Sequence, residues 1–95
     1  MKIIRLEPFH TSERRSVELE VLDLQSGETV ASAAVTHVPP SGSSEAPSTT
    51  ISTPYVYLAF GPFTATGLHT VTVTVTGSAA TPSKPVARYI FDVTA

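Results

Sequence analysis

The feature that most constrains the fold is a strict alternation of two residue types between positions 70 and 76. Val71, Val73 and Val75 are separated and flanked by threonines. Side chains of a β-strand point alternately to opposite faces of a sheet, so this segment predicts a strand with buried valines and outward threonines. The chain also has eight prolines spread from position 8 to position 85. They leave no long stretch with a 3.6-residue period, which excludes a helical bundle.

Weaker alternation and proline boundaries predict further strands on either side of this one. Residues 29–38 carry small apolar side chains on both faces, which favours a central strand, and Gln25–Glu28 suits a turn with Gly27 at positive φ. The predicted strands are residues 3–6, 16–21, 29–38, 49–53, 55–60, 70–76 and 87–93. The predicted buried set is Val17, Leu19, Val21, Val56, Leu58, Val71, Val73, Val75, Tyr89 and Phe91.

A chain of 95 residues suffices for one domain with a modest core. We therefore predict a single all-β domain over residues 1–95, with no significant helix. The segment at about 39–54 is rich in serine, threonine and proline and poor in large apolar residues. Such a composition offers little surface to bury, so we predict that this loop is flexible, with a short strand at its end.

Residues 66–75, Thr-Gly-Leu-His-Thr-Val-Thr-Val-Thr-Val, resemble a pattern found in bacterial and phage immunoglobulin-like domains. In those domains a Gly-x-Tyr-x-Val-x-Val sequence opens the penultimate strand, and its tyrosine forms the tyrosine corner. Here His69 takes the tyrosine position, and its imidazole N–H could replace the corner hydrogen bond. The resemblance and the strand spacing together imply an immunoglobulin-like β-sandwich of about seven antiparallel strands. As a whole the chain resembles small structural proteins encoded among phage and prophage virion genes.

Charge and composition exclude several classes of function. Six basic and eight acidic residues give a net charge of −2, and the one basic cluster, Arg14–Arg15, is flanked by Glu13 and Glu18. Nucleic-acid binding normally needs a concentrated positive face, so no nucleic-acid partner is expected. There is no cysteine, and no apolar run approaches the length of a membrane span. The first residues do not form a signal peptide, so we expect a protein made in the cytoplasm, free there or part of a virion.

No pattern of catalytic or metal-binding residues is present. His10, His37 and His69 have no metal-ligand spacing, and no Gly-x-Ser-x-Gly elbow accompanies them. Glu18 and Glu20 share the outer face of one predicted strand, as Arg88 and Asp92 share a face of another. We interpret these as solvated faces, and we expect no enzyme activity, no cofactor and no metal.

Two outward surfaces are the candidates for an interaction. Tyr55 and Tyr57 would stand together on an outer face and could anchor a protein contact or stack on a sugar ring, or instead pack under the neighbouring loop. Thr70, Thr72 and Thr74 form an uncharged strand face, and that strand would add readily to another sheet if it lay at an edge. We expect a non-catalytic structural or protein-interaction module, associated with a virion and binding protein partners or itself. The alternative is a carbohydrate- or ligand-binding β-sandwich of a bacterial surface protein.

Overall fold

The computed structural model describes residues 2–95, which form eight β-strands and no helix. The strands are formed by segments of alternating or β-branched residues. They end at a proline, a glycine or a polar loop. The strands are Lys2–Arg5 (β1), Phe9–His10 (β2), Arg15–Glu20 (β3), Val30–Val38 (β4), Ser48–Ser52 (β5), Tyr55–Phe60 (β6), Gly67–Gly77 (β7) and Val86–Thr94 (β8).

The strands form two sheets that enclose a shared core. The five-stranded sheet has the order β1-β8-β7-β4, with β2 also beside β8, and the three-stranded sheet has the order β3-β6-β5. β4 lies near β5, because the N–H of Val30 donates to Thr53 Oγ1 over 3.0 Å just beyond the end of β5. On the opposite side the guanidinium of Arg15 on β3 donates to the backbone oxygens of Glu7 and Pro8, which join β1 to β2.

The strand count and the strand directions differ from the prediction. Eight strands occur within residues 2–95 rather than about seven, because the first strand is split by Pro8, which has no N–H to donate. The register against β8 slips by one residue across the break, from Arg5 opposite Ile90 to Phe9 opposite Val93. Both β1 and β2 run parallel to β8, so the five-stranded sheet is mixed and not wholly antiparallel.

The prediction that residues 29–38 form a central strand is wrong. β4 pairs only with β7 among the strands described and is an edge of the five-stranded sheet. Its side chains are small on both faces for a different reason. The inner residues Ala33 and Val35 pack at the margin of the core, and the outer ones are exposed because no layer covers that face.

The core confirms the predicted phases of the main strands. Nine members of the predicted buried set are buried, and Val17 is half-buried at the margin. Two phenylalanines that no periodicity marked, Phe9 and Phe63, are also fully enclosed, and their rings contact each other with centroids 5.7 Å apart. Both rings contact Phe91, so a cluster of aromatic side chains fills one part of the space between the sheets.

The connections follow their local sequences. The Gln25–Glu28 turn is confirmed: Gly27 has φ of 79°, and the N–H of Glu28 donates to the carbonyl of Gln25 over 2.9 Å. Within the predicted flexible segment, residues 41–44 are exposed, Pro47 is buried and β5 forms at its end. The flexibility of the exposed part stays a prediction.

Candidate functional site

The five residues predicted as an interaction surface lie on two opposite faces of the molecule. Tyr55 and Tyr57 belong to β6 and point outward from the three-stranded sheet. Thr70, Thr72 and Thr74 belong to β7 and point outward from the five-stranded sheet. The two sheets share one core, so their outer faces point away from each other. The five residues therefore form two separate surfaces.

The two tyrosines stand side by side at the centre of the smaller sheet. Their ring centroids are 6.0 Å apart with planes inclined by 32°. The side chain of Tyr57 is exposed, at 38% of its full accessible surface, and that of Tyr55 is half-buried. The neighbours across the sheet are Glu20 and Ser52 beside Tyr55, and Glu18 and Thr50 beside Tyr57. We call these six residues the tyrosine face.

The electrostatic character of the tyrosine face is acidic. Glu18 and Glu20 occupy alternate positions of β3 and are both exposed. The negative charge of Glu20, with partial burial and the charge of Glu18, raises the pKa of the Tyr55 hydroxyl. The two carboxylates on β3 lie beside the two rings on β6. The tyrosine face is therefore aromatic at its centre and negative along one side.

The threonine residues occupy the middle of the larger sheet and not its edge. β7 is flanked by β4 on one side and β8 on the other, so neither of its sides is open to a further strand. Thr70 and Thr72 are half-buried between neighbours such as Ile90 and Arg88 on β8. The predicted addition of an external strand to β7 is therefore excluded by its position.

Two of the three histidines meet at one end of the core, an arrangement that the sequence analysis missed. His37 near the end of β4 and His69 near the start of β7 are 4% and 0% exposed. His37 Nε2 lies 2.8 Å from His69 Nδ1, and the nearly parallel rings differ by only 7°. The sequence did indicate the burial of His69, because this residue lies on the same face of β7 as the buried valines. His10 lies elsewhere, with Nδ1 near Ser12 Oγ at 3.3 Å.

The hydrogen bonds define the protonation of this histidine pair. The N–H of Glu45 donates to His37 Nδ1 over 2.7 Å, so His37 carries its proton on Nε2 and donates it to His69 Nδ1. His69 therefore carries its proton on Nε2, which donates to the carbonyl of Ala65 over 2.7 Å. This last bond reaches four residues upstream, as the hydroxyl of a tyrosine corner does. All four ring nitrogens are occupied, which leaves none to bind a metal ion or to accept a substrate proton.

Burial favours the neutral form of His37. Removing the ring from water penalises its charged form and lowers its pKa from 6.5, and the adjacent His69 acts in the same direction against a smaller opposite effect of Glu45. Glu45 also accepts hydrogen bonds from the N–H and hydroxyl of Thr64, at 3.0 and 3.1 Å. The pair and Glu45 thus tie together the loops that follow β4 and β6.

Two further carboxylates, those of Asp92 and Glu28, also have partners within the chain. Asp92 pairs with Arg5 of β1 at 2.8 Å, an exposed contact, in addition to sharing a face with Arg88. Glu28, another residue that the sequence analysis missed, accepts hydrogen bonds from the N–H groups of Gln25, Ala79 and Ser83 at 2.9–3.2 Å. These bonds, that of Gln25 above all, lower the pKa of the carboxyl to about 2.

The described residues hold one small cavity near β3 and β8 and no candidate metal cluster. In residues 2–95 no three histidine, aspartate or glutamate side chains come together in a way that could hold a metal ion. A cavity of about 40 Å³, with room for a few water molecules, lies between the end of β3 and the start of β8. The described part of the chain contains no helix long and apolar enough to cross a membrane.

Comparison of the chain with protein-family models, with curated proteins and with solved structures gives no match.

Proposed function

We propose that this protein is a non-catalytic interaction module that binds a basic segment of a partner protein through the tyrosine face. The observation that carries the proposal is the pair of outward rings, that of Tyr57 exposed and that of Tyr55 half-buried, at the centre of a sheet and beside two carboxylates. Tyrosine is enriched at protein interfaces because its large ring buries apolar area while the hydroxyl stays hydrogen-bonded. A rigid central strand holds both rings, so little side-chain freedom is lost when a partner binds.

The charge of the tyrosine face selects the kind of partner. Glu18 and Glu20 attract lysine or arginine, and an aromatic ring attracts a cation placed over its face. Arginine suits both groups, because its planar guanidinium stacks on rings and pairs with carboxylates. A second copy of the same face would bring four carboxylates together. The tyrosine face therefore favours a different protein over self-association.

Carbohydrate binding is the second candidate, and the same pair of rings favours it. Tyrosine rings can stack on the apolar faces of sugars, while carboxylates accept hydrogen bonds from sugar hydroxyl groups. The two candidates differ in their response to salt. Attraction between charged groups is screened as ionic strength rises, whereas stacking on a neutral sugar is not.

The wider setting is also part of the proposal. We propose immunoglobulin-like connectivity, supported by β3, β6 and β5 sharing one sheet while β4, β7 and β8 share the other. If β1 and β2 are counted as one split strand, β3, β6 and β5 correspond to the second, fifth and fourth strands of that fold. β4, β7 and β8 then correspond to its third, sixth and seventh strands. The split strand departs from the pattern by joining the last strand rather than the second. A virion component remains our proposal on the resemblance of residues 66–75, and neighbouring portal, capsid or tail genes would test it.

A titration with basic peptides tests the proposed partner chemistry. Hexa-arginine and hexalysine peptides are added to the full chain, and binding is followed by tyrosine fluorescence at low and high salt. The chain has three tyrosines and no tryptophan, and Tyr89 is buried, so the fluorescence change comes from the tyrosine face. We expect the arginine peptide to bind more tightly than the lysine peptide, and both to weaken at high salt.

Matched variants locate the binding. Tyr57→Ala and Glu18→Gln should weaken the arginine peptide by at least about tenfold, the scale of one interface anchor. Glu7→Gln removes an equal charge from an exposed position outside the tyrosine face and should leave the affinity nearly unchanged. Equal losses in Glu7→Gln and Glu18→Gln would show attraction to net charge only and overturn the proposal. A salt-independent response to a neutral oligosaccharide, with none to peptide, would favour carbohydrate binding.

A further inference from the structure

The outer edge of β4 is an open sheet edge that does not belong to the tyrosine face. β4 pairs with β7 on one side, and no strand within residues 2–95 pairs with its other side. The edge is nine residues long, which exceeds the commonest strand length of about five to six residues. An open edge presents unpaired N–H and C=O groups to which another strand can bond.

The pairing of β7 determines which backbone groups of β4 face outward. The N–H of Val75 donates to the carbonyl of Pro85 over 2.9 Å, so odd-numbered residues of β7 bond toward β8. Bonding direction alternates along a strand, and even-numbered residues of β7 therefore bond toward β4. They lie opposite even-numbered residues of β4. The groups left along the open edge belong to Ala33, Val35 and His37.

Two of the other edges, β1 and β3, carry charges that hinder strand addition, and β4 carries none. β1 has Lys2 and Arg5, and β3 alternates Glu18 and Glu20. Charged side chains and prolines on an edge are the usual protection against pairing with a second chain. The sequence of β4, Val-Ala-Ser-Ala-Ala-Val-Thr-His-Val, has neither a charge nor a proline. β5 is also uncharged but is only five residues long.

We propose that β4 pairs with β4 of a second copy of this chain, antiparallel and centred on Ala34, so that two five-stranded sheets become one continuous sheet. In this register Ala34 faces Ala34 of the second copy, and Ser32 faces Thr36. The outward N–H and C=O groups of Ala33 meet those of Val35, which matches the bonding direction deduced above.

The sequence of β4 suits a copy of itself. Side chains at the centre are small, so the two strands approach without collision. Serine and threonine opposite one another form a favourable cross-strand pair, and no like charges oppose each other. One strand pair buries less area than a typical stable interface, so we expect a weak dimer that forms at about 100 µM and dissociates on dilution.

Sedimentation velocity of the full chain over a range of concentrations tests the proposal. Ala34→Lys places two ammonium groups against each other at the centre of the interface. Ala33→Pro removes an outward N–H without removing a bond to β7. Both should raise the dissociation constant by at least about tenfold, a change of about 1.4 kcal/mol. The matched control Ser48→Lys places the same charge on the β5 edge, outside the tyrosine face, and should leave the dimer intact.

A second measurement needs no variant and holds even if a substitution prevents folding. In a mixture of isotope-labelled and unlabelled chains, the Ala34 Hα atoms of the two copies should give an intermolecular NOE, because Cα atoms of a non-hydrogen-bonded pair lie only about 4.5 Å apart. A monomer at every concentration, or a dimer that lacks this NOE, overturns the proposal. So does a dimer that Ser48→Lys weakens and Ala34→Lys does not.

Discussion

Replacing His37 with phenylalanine is the perturbation whose cost follows most directly from the geometry. A phenylalanine ring nearly preserves the volume and can keep the contact with Phe63, whose centroid lies 5.2 Å away. What it removes is the acceptor for the N–H of Glu45 at 2.7 Å and the donor to His69 Nδ1 at 2.8 Å. Each buried polar group left without a partner costs about 1–3 kcal/mol. The Glu45 N–H is only partly buried, so we expect a loss of about 2–4 kcal/mol, a large fraction of the stability of a small domain.

The same substitution should remove a pH dependence. Folding lowers the pKa of His37 below 6.5, so the unfolded chain binds its proton more tightly. The contribution of the neutral ring is therefore complete above pH 6.5 and is lost as the pH falls below 6.5 toward the lowered pKa. The unsubstituted protein should become less stable between about pH 7.5 and pH 5.5, and His37→Phe should lose this part of the decline.

Urea unfolding followed by circular dichroism at the two pH values measures both effects. His10→Phe is the control, since His10 is exposed, and its stability should change by less than about 0.5 kcal/mol. Long-range ¹⁵N–¹H NMR spectra should also show His37 and His69 as Nε2–H tautomers. A cost below about 0.5 kcal/mol for His37→Phe, or a His37 proton on Nδ1, would refute the hydrogen-bond chain described here.

Three further substitutions test the phases and the buried polar groups by thermal or urea unfolding. Val73→Asp buries an unpaired carboxylate and should lower the free energy of unfolding by several kcal/mol. Thr72→Asp places its carboxylate outward, opposite Arg88, and should change stability by less than about 1 kcal/mol. Equal losses would contradict the phase of β7. Tyr89→Phe removes a hydroxyl that lacks a hydrogen-bond partner in residues 2–95 and whose pKa is raised to about 12 by burial. This substitution should raise the free energy of unfolding by up to about 1 kcal/mol, and a clear loss would indicate a bonded hydroxyl. Glu28→Gln should destabilise the protein at neutral pH, and the difference should shrink as the pH falls from 4.5 toward 2, because the unsubstituted carboxylate then becomes protonated; a difference that does not depend on pH would contradict the lowered pKa.

The main strands could be predicted because their alternation records which face is buried. Val71 and Val73 are in phase with each other and out of phase with their threonines, and this information is local. The position of β4 in the sheet is not local. Ala33 and Ala34 fit a central strand and an uncovered edge strand equally well, since a small side chain satisfies either environment. The pairing of β4 with β7 alone depends on long-range topology.

The histidine pair shows the same division between local and long-range information. The phase of β7 turns His69 inward, and this much was present in the sequence. β4 has small apolar residues on both faces, so its sequence does not indicate that His37 is buried. That the two rings meet depends on the register that sets His37 opposite Val71, two residues along β7 from His69. Phe9 and Phe63 were missed for a related reason. Each follows a proline in a short irregular segment, where no periodicity indicates burial.

An NMR titration of the full chain with the hexa-arginine peptide tests most directly whether a basic segment binds to the tyrosine face. If it does, chemical-shift changes should be concentrated in the ring signals of Tyr55 and Tyr57 and in the amides of β3 and β6, with the ring signals of Tyr89 unchanged. Shifts spread over the other acidic residues, or no shift at the two tyrosines at saturating peptide, would contradict it.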